Sequence, residues 1–276
     1  MEIWHRTELL ELLQYRSDLS LEEMQDFLFE AFEIQISRSA ISRQLNSAGW
    51  TNKKSKIIAA QRSDELRYEY LYRIRRYRPD QLVFVDESGV NKDTGIRRTG
   101  WAPKGLAAFR TAEIDRFQNS RVQILPALTL SGILHLTTYY GTTDGDGFFR
   151  WLQECLIPKC GRFPEPNSVI VMDNLSCHRI PEIEGLCRVS GVHLEFLPPY
   201  SPDFNPIEEY FGDLKRYIRK TYSKWNNDEN DTRDFMEYLR DCAMEIGYRL
   251  PQIEGHFRHS FVNFDGTEHI FDDIEL

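Results

Sequence analysis

The sequence predicts an α/β fold, a mixed sheet flanked by helices, preceded by a small all-α module. Three observations predict it. Gln81–Asp86 and Val169–Asp173 are short apolar runs of strand length, and each ends in an acid. Val122–Leu130 and Ile133–Tyr140 flank Ser131-Gly132, a hairpin signal. Phe148–Ile157, Ile180–Val189 and Asn205–Lys220 fit helices that alternate with further strands, the last of them Val192–Leu197. Pro158 stops the first of these helices and Gly191 punctuates the second. The third buries Ile207, Tyr210, Phe211, Leu214 and Ile218 on one stripe.

The N-terminal elements follow from caps and periodicity. Leu9, Leu10, Leu12 and Leu13 predict a short first helix. Ser20-Leu21-Glu22-Glu23 has capping-box form, and Leu21, Met24, Leu28 and Ala31 then recur at helical spacing. Ser37 caps a third helix whose buried stripe is Ile41, Leu45 and Ala48, and Gly49 is placed to end it. The other face of that helix carries Arg38, Ser39, Ser42, Arg43 and Asn46. Short polar and Arg side chains on an exposed helix face are the types that reach phosphates and base edges in a major groove. Three short helices with such a third helix describe either a helix-turn-helix module or a plain bundle with a polar surface.

Four segments result. Residues 1–50 are expected to form the three-helix module, helix-turn-helix or bundle, and 51–79 a basic linker and helix. Residues 80–223 form the α/β domain, and 224–276 an acidic helical extension packed on it. In the linker helix, Leu66, Tyr70, Ile74 and Tyr77 form the expected stripe, with Arg67, Arg73, Arg75, Arg76 and Arg78 around it. Pro79 ends that helix.

Composition narrows the function classes. The 276 residues are 41% apolar and 28% charged, enough for a sizeable core. Five Cys is an odd number, and none has zinc-finger or Cys-x-x-Cys spacing, which predicts reduced thiols. No apolar stretch follows Met1, and no run approaches the ~20 apolar residues of a membrane span, so neither a secretory signal nor a span is expected. The net charge of −9 argues against a nucleic-acid partner only as an average. Residues 1–36 carry 2 basic and 9 acidic side chains, whereas residues 37–78 carry 11 basic and 3 acidic. A local basic stretch of that kind, which includes Lys53 and Lys54, is what phosphate binding needs. Lys215, Arg216, Arg219 and Lys220 offer further phosphate contacts, or favourable charge near a helix C-terminus.

Three acids occupy equivalent places. Asp86 and Asp173 each close a buried strand, and Glu208 sits in the first turn of the helix that follows a third. A lone carboxylate at an apolar strand tip is costly to bury. Three that meet at one pole of a sheet repel one another unless a divalent cation neutralises them. An all-oxygen set suits Mg²⁺, with Mn²⁺ as a substitute, and a pair of such ions suits phosphoryl transfer. Each acid also has a local reading. Asp86 can end a strand in a turn, Asp173-Asn174 can form an Asx turn, and Glu208 can close a capping box on Asn205. His178 is either a site contact or a structural histidine. Asp144-Gly145-Asp146-Gly147 lacks the later ligands of a calcium loop and is expected to form the turn before the Phe148 helix.

At this point the residues carry a resemblance. Pro198-Pro199-Tyr200-Ser201-Pro202-Asp203-Phe204-Asn205-Pro206-Ile207-Glu208 resembles the stretch around the third catalytic acid of the Tc1/mariner and IS630 transposase superfamily. Asp173-Asn174, with His178 beyond it, resembles the segment around the family's second acid. Asp86-Glu87-Ser88-Gly89 and Gly100-Trp101-Ala102-Pro103-Lys104-Gly105 resemble its first-acid region. The 34 residues between Asp173 and Glu208 match the Asp-Asp-Glu branch. The resemblance implies an RNase H-like fold behind helix-turn-helix modules, commonly two in tandem, where residues 1–50 hold one. It implies Asp86, Asp173 and Glu208 as the catalytic, metal-binding triad with two Mg²⁺ ions. It also implies double-stranded DNA as partner (transposon ends and target), a homodimer on DNA and, if the host is eukaryotic, nuclear localisation. The expected activity is cut-and-paste transposition: cleavage at terminal inverted repeats, then strand transfer. The alternatives are a transposase-derived DNA-binding protein without mobilising activity, or an RNase H-like nuclease on other nucleic acid.

Overall fold

The computed structural model describes residues 3–53, 59, 61–97, 99–109, 121–142, 144–173 and 180–262. They fall into two compact units, Met1–Ala60 and Gln61–Leu276.

Among its described residues the first unit has three helices: α1 (Ile3–Tyr15), α2 (Leu21–Phe32) and α3 (Arg38–Ser47). Leu9, Leu13, Met24, Leu28 and Ile41 make its core, with Leu45 and Trp50 packed against them. The caps form as the sequence predicts. The Glu23 N–H donates to Ser20 Oγ at 3.2 Å, and the Ser20 N–H donates to the Glu23 carboxylate at 2.7 Å. The Ala40 N–H donates to Ser37 Oγ at 3.3 Å at the start of α3. Gly49, at φ +80°, turns the chain out of α3, where a side chain would be strained.

The second unit is a sheet covered on both faces. Its elements are α4 (Asp64–Ile74), β1 (Leu82–Val85), β2 (Ser88–Val90), β3 (Val122–Thr129), β4 (Gly132–Tyr140), α5 (Gly145–Trp151), β5 (Val169–Met172), α6 (Ile180–Ser190), β6 (His193–Phe196), α7 (Pro206–Asn226), α8 (Phe235–Gly247) and α9 (Leu250–His259). The predicted strands and hairpin are present. The helix expected over 148–157 is shorter: α5 ends at Trp151 and continues as a π turn over Leu152–Leu156. Asp144 caps α5 by accepting from the Gly147 N–H at 2.7 Å.

β3 pairs antiparallel with β1, β2 and β4, while β1, β5 and β6 run parallel in that order. Phe84 pairs with Leu128, and Ser88, four residues on, pairs with Ile124, four residues back. β1 and β2 are therefore two pieces of one strand in a single register, broken at Asp86-Glu87. Pro126, which has no N–H to donate, stands opposite Asp86 in that register.

Side chains alternate across the sheet. Leu82, Phe84, Val169 and Val171 face a core built with α4, α7, α8 and α9. Val83, Val85, Ile170 and Met172 face the other, built with α5, the π turn and α6.

α4 corrects the expected stripe. Tyr70, Leu71 and Ile74 are buried in it, but Leu66 is 43% exposed and Arg67 only 5%. Arg67 belongs inside because it has partners there. Its guanidinium donates to both oxygens of Asp203, at 2.9 and 2.6 Å, and lies 3.8 Å from the centre of the Phe204 ring. Arg73 is likewise bound to Glu195 at 3.0 Å.

Candidate active site

The strand registers bring the first two acids together. Val85 is paired with Met172 in the parallel β1–β5 ladder, so the next residue on each strand, Asp86 and Asp173, stand level. Neighbouring strands run about 4.8 Å apart. Alternation sends both side chains to the face that α7 covers, because Phe84 and Val171, two residues back, are in that core.

α7 brings the third acid. Asn205 caps it, accepting from the Ile207 N–H at 3.3 Å, and Pro206 sits at the first helical position, where a missing N–H costs nothing. Glu208 is exposed in the first turn. It closes no capping box, since the Asn205 N–H is given to the Pro202 carbonyl at 3.0 Å. Asn205 also reaches the strand tip: its side-chain amide donates to Asp86 Oδ2 at 2.9 Å. The Glu87 N–H donates to Asp86 Oδ1 at 2.7 Å.

Electrostatics register the convergence. Burial is the main cause that pushes the Asp86 carboxyl up to about 7. The Glu87 N–H opposes the rise, and the charges of Glu208, Asp173 and Glu87 add to it. Among the described residues no three His, Cys, Asp or Glu side chains stand close enough to hold a metal ion as they are placed. The donor chemistry nevertheless fits a hard cation. All three groups are carboxylates, and the half-buried one holds a proton near neutral pH that a cation would displace.

Glu209, beside Glu208, turns to another task. Its carboxylate lies 2.8 Å from His256 Nδ1 and 3.1 Å from His259 Nδ1, which ties the start of α7 to α9. His256 Nε2 faces Asp213 at 3.3 Å without the alignment of a hydrogen bond.

The predicted nucleic-acid residues are placed as follows. Arg38, Ser39, Arg43 and Asn46 are exposed on α3, and Ser42 is half-buried. Arg38 lies 3.8 Å from Glu22, an exposed pair of little energetic weight. Lys53 is exposed after the first unit's last helix. Lys54, Asn174 and His178 lie outside the described residues. Lys215, Arg216, Arg219 and Lys220 stand well inside α7, which runs on to Asn226, so charge at a helix C-terminus does not account for them. Sequence reasoning missed two contacts. Asn205 was legible as a cap but not as a donor to Asp86, and the Arg67–Asp203 pair joins residues with no local signal linking them.

Comparison with known proteins gives the family and the fold. A family model described as DDE superfamily endonuclease matches residues 81–230. A search among curated proteins finds no match. Among solved structures, the mariner Mos1 paired-end complex with Mg is similar at 18% identity and a TM-score of 0.60, over 95% of this chain and 79% of that one. The Mos1 transposase paired-end complex with left transposon end is similar at 18% identity and a TM-score of 0.57, over 91% and 77%. The Mos1 strand transfer complex gives 17% identity and a TM-score of 0.54, over 91% and 77%. The fold is thus the RNase H-like fold of a mariner transposase with an N-terminal helical part, and the chain belongs to the DDE superfamily endonucleases.

Proposed function

We propose that this endonuclease is a DNA transposase of the Tc1/mariner group that cuts at the terminal inverted repeats of its element and joins the freed ends to target DNA. The observation that carries the reading is the strand register that sets Asp86 level with Asp173, with the α7 start that bears Glu208 hydrogen-bonded to Asp86. Its similarity to Mos1 complexes with transposon-end DNA, and with Mg or Mn, supports the same reading.

Asp86, Asp173 and Glu208 would hold two Mg²⁺ ions, with Mn²⁺ as a substitute. Bound there, the ions lower the pKa of a water and neutralise charge on the phosphoryl group in flight. The protein supplies the rest. Two strand tips and a capped helix fix the three carboxylates on rigid elements. Asn205 and the Glu87 N–H hold both oxygens of Asp86, so its carboxylate plane is set. In the first step one phosphodiester is hydrolysed to a 3′-hydroxyl and a 5′-phosphate. In the second that hydroxyl displaces an alkoxide from a target phosphodiester, so one P–O bond forms as another breaks. No side chain becomes covalently attached to DNA. The α3 residues Arg38, Ser39, Ser42, Arg43 and Asn46, with Lys53 and Lys54, would grip duplex DNA, and a homodimer would pair two ends. If the host is eukaryotic, action on chromosomal DNA implies the nucleus.

The test is nicking of supercoiled plasmid in Mg²⁺ or Mn²⁺, with an RNA–DNA hybrid as a second substrate. Asp173→Asn is expected to abolish nicking while DNA affinity stays at the wild-type value. Unchanged nicking by that variant ends the triad assignment, and preferential cutting of the hybrid ends the transposase reading. For the N-terminal unit, Arg43→Ala is expected to weaken duplex binding and to flatten its salt dependence by about one unit of slope. Equal affinity across a salt titration would remove α3 from the interface.

A further inference from the structure

The geometry points to Asn205 as a positioning residue that sets the distance between the first and third acids, and so the affinity of the site for divalent cations. The inference rests on the metal–carboxylate reading above. Asn205 is 4% exposed and uses its side chain in two directions at once. Its Oδ1 accepts from the Ile207 N–H, which fixes where α7 begins. Its Nδ2 donates to Asp86 Oδ2. An amide can do both at two places because it carries its acceptor and its donor on separate atoms, whereas a hydroxyl has both on one oxygen. Aspartate would keep the cap but set a fourth carboxylate against Asp86. Serine would keep the cap and fall short of the strand tip.

The residue is itself held. Its backbone N–H is bound to Pro202, and the turn over Pro202–Phe204 is pinned where Asp203 meets Arg67 and Phe204 stacks on Tyr70 with ring centres 5.4 Å apart. A rotation of Asn205 would therefore require that packed turn to move, or would break the cap. Groups that orient metal ligands in this way typically change metal affinity 10- to 100-fold when removed.

Two variants separate the cap from the bridge. Asn205→Ser retains a capping oxygen, and Asn205→Ala has neither function. Binding of Mn²⁺ alone to the full chain, read from the paramagnetic resonance of free Mn²⁺, is expected to weaken about tenfold in both. Asn205→Ala, which loses the cap as well as the bridge, is expected to melt at the lower temperature of the two. The Mn²⁺ concentration for half-maximal nicking should shift in parallel. If Asn205→Ser binds Mn²⁺ as wild type does, Asn205 is a helix cap only and the inference is overturned. Asp86→Asn is the control that keeps the two levels apart. Should that variant also bind Mn²⁺ and nick normally, the metal–carboxylate reading fails. Should it lose both while Asn205→Ser loses neither, the reading stands and the role given to Asn205 does not.

Discussion

Asp86→Asn is expected to abolish DNA cleavage and, without divalent cations at pH 8, to raise the melting temperature. The two effects have one cause. Folding places the carboxyl where burial and three neighbouring acids push its pKa from 3.8 to about 7. The folded state therefore holds that proton more tightly than the unfolded chain. Stability falls as pH rises from about 4 towards 7, and the whole cost is present above the folded value. A rise of this size sets a ceiling of about 4 kcal/mol on what the ionised group costs. The new amide recovers less than that. Its NH₂ must face either the Glu87 N–H or the Asn205 amide, both donors, a mismatch of about 1 to 2 kcal/mol.

The net gain is about 2 kcal/mol, or roughly 5 °C for a domain of this size. It should fade by pH 5, where Asp86 is already protonated. Mg²⁺ should raise the melting temperature of the wild type but hardly that of the variant. Cleavage should fall on the order of a thousandfold, as the loss of several kcal/mol of transition-state stabilisation implies. A melting shift equal at pH 5 and pH 8 would remove the electrostatic account. A variant that still cuts would remove the catalytic one.

Arg67→Ala is expected to be the more damaging change to the fold. The guanidinium, 6% exposed at its side chain, loses a two-point contact with Asp203 and its stack on Phe204. Breaking a buried pair leaves a charge with no partner, which costs about 3 to 5 kcal/mol. Asp203 is 43% exposed and can be partly rehydrated, which points to the low end, about 3 kcal/mol. Arg67→Lys should recover only part of this, because an ammonium cannot make the fork. The pH dependence has a definite sign. Burial alone would raise the Asp203 carboxyl, but the hydrogen bonds and charge of Arg67 outweigh it and hold the pKa below the ordinary value. The pair's contribution is present above pH 4 and is lost as pH falls through the lowered value. Thermal melts at pH 7 and pH 3 should show the gap between wild type and Arg67→Ala narrowing in acid. A constant gap would mean that lost packing, not the ion pair, sets the cost. Unchanged stability together with weaker DNA binding would return Arg67 to the phosphate-binding set.

The two residues show where local reading succeeds and where it fails. Asp86 was legible because an apolar run ended in an acid, and its ladder position is fixed by the same run. Arg67 sits among five other arginines between residues 62 and 78, and nothing within that helix marks it as different. Its partner lies 136 positions away, in a turn whose own residues predict only a turn. Leu66 fits the buried stripe on side-chain type alone. The helix is rotated so that Arg67 faces Asp203, and tertiary pairing overrides hydrophobicity at that position.

The sequence by itself determined which elements form, but not every boundary: α5 gives way to a π turn after Trp151, and α4 ends at Ile74, short of Pro79. Caps such as Ser20 and Ser37, the Ser131-Gly132 turn and the alternation of apolar residues act over a few positions, and a chain carries that information locally. Only the tertiary structure decided that Asn205 bonds to Asp86, that Glu209 turns to His256 while Glu208 does not, and that Arg67 is inside. These choices depend on strand order, register and the rotation of α4 and α7 about their axes. Those are set by burial of whole faces at once, so no short window of residues contains them.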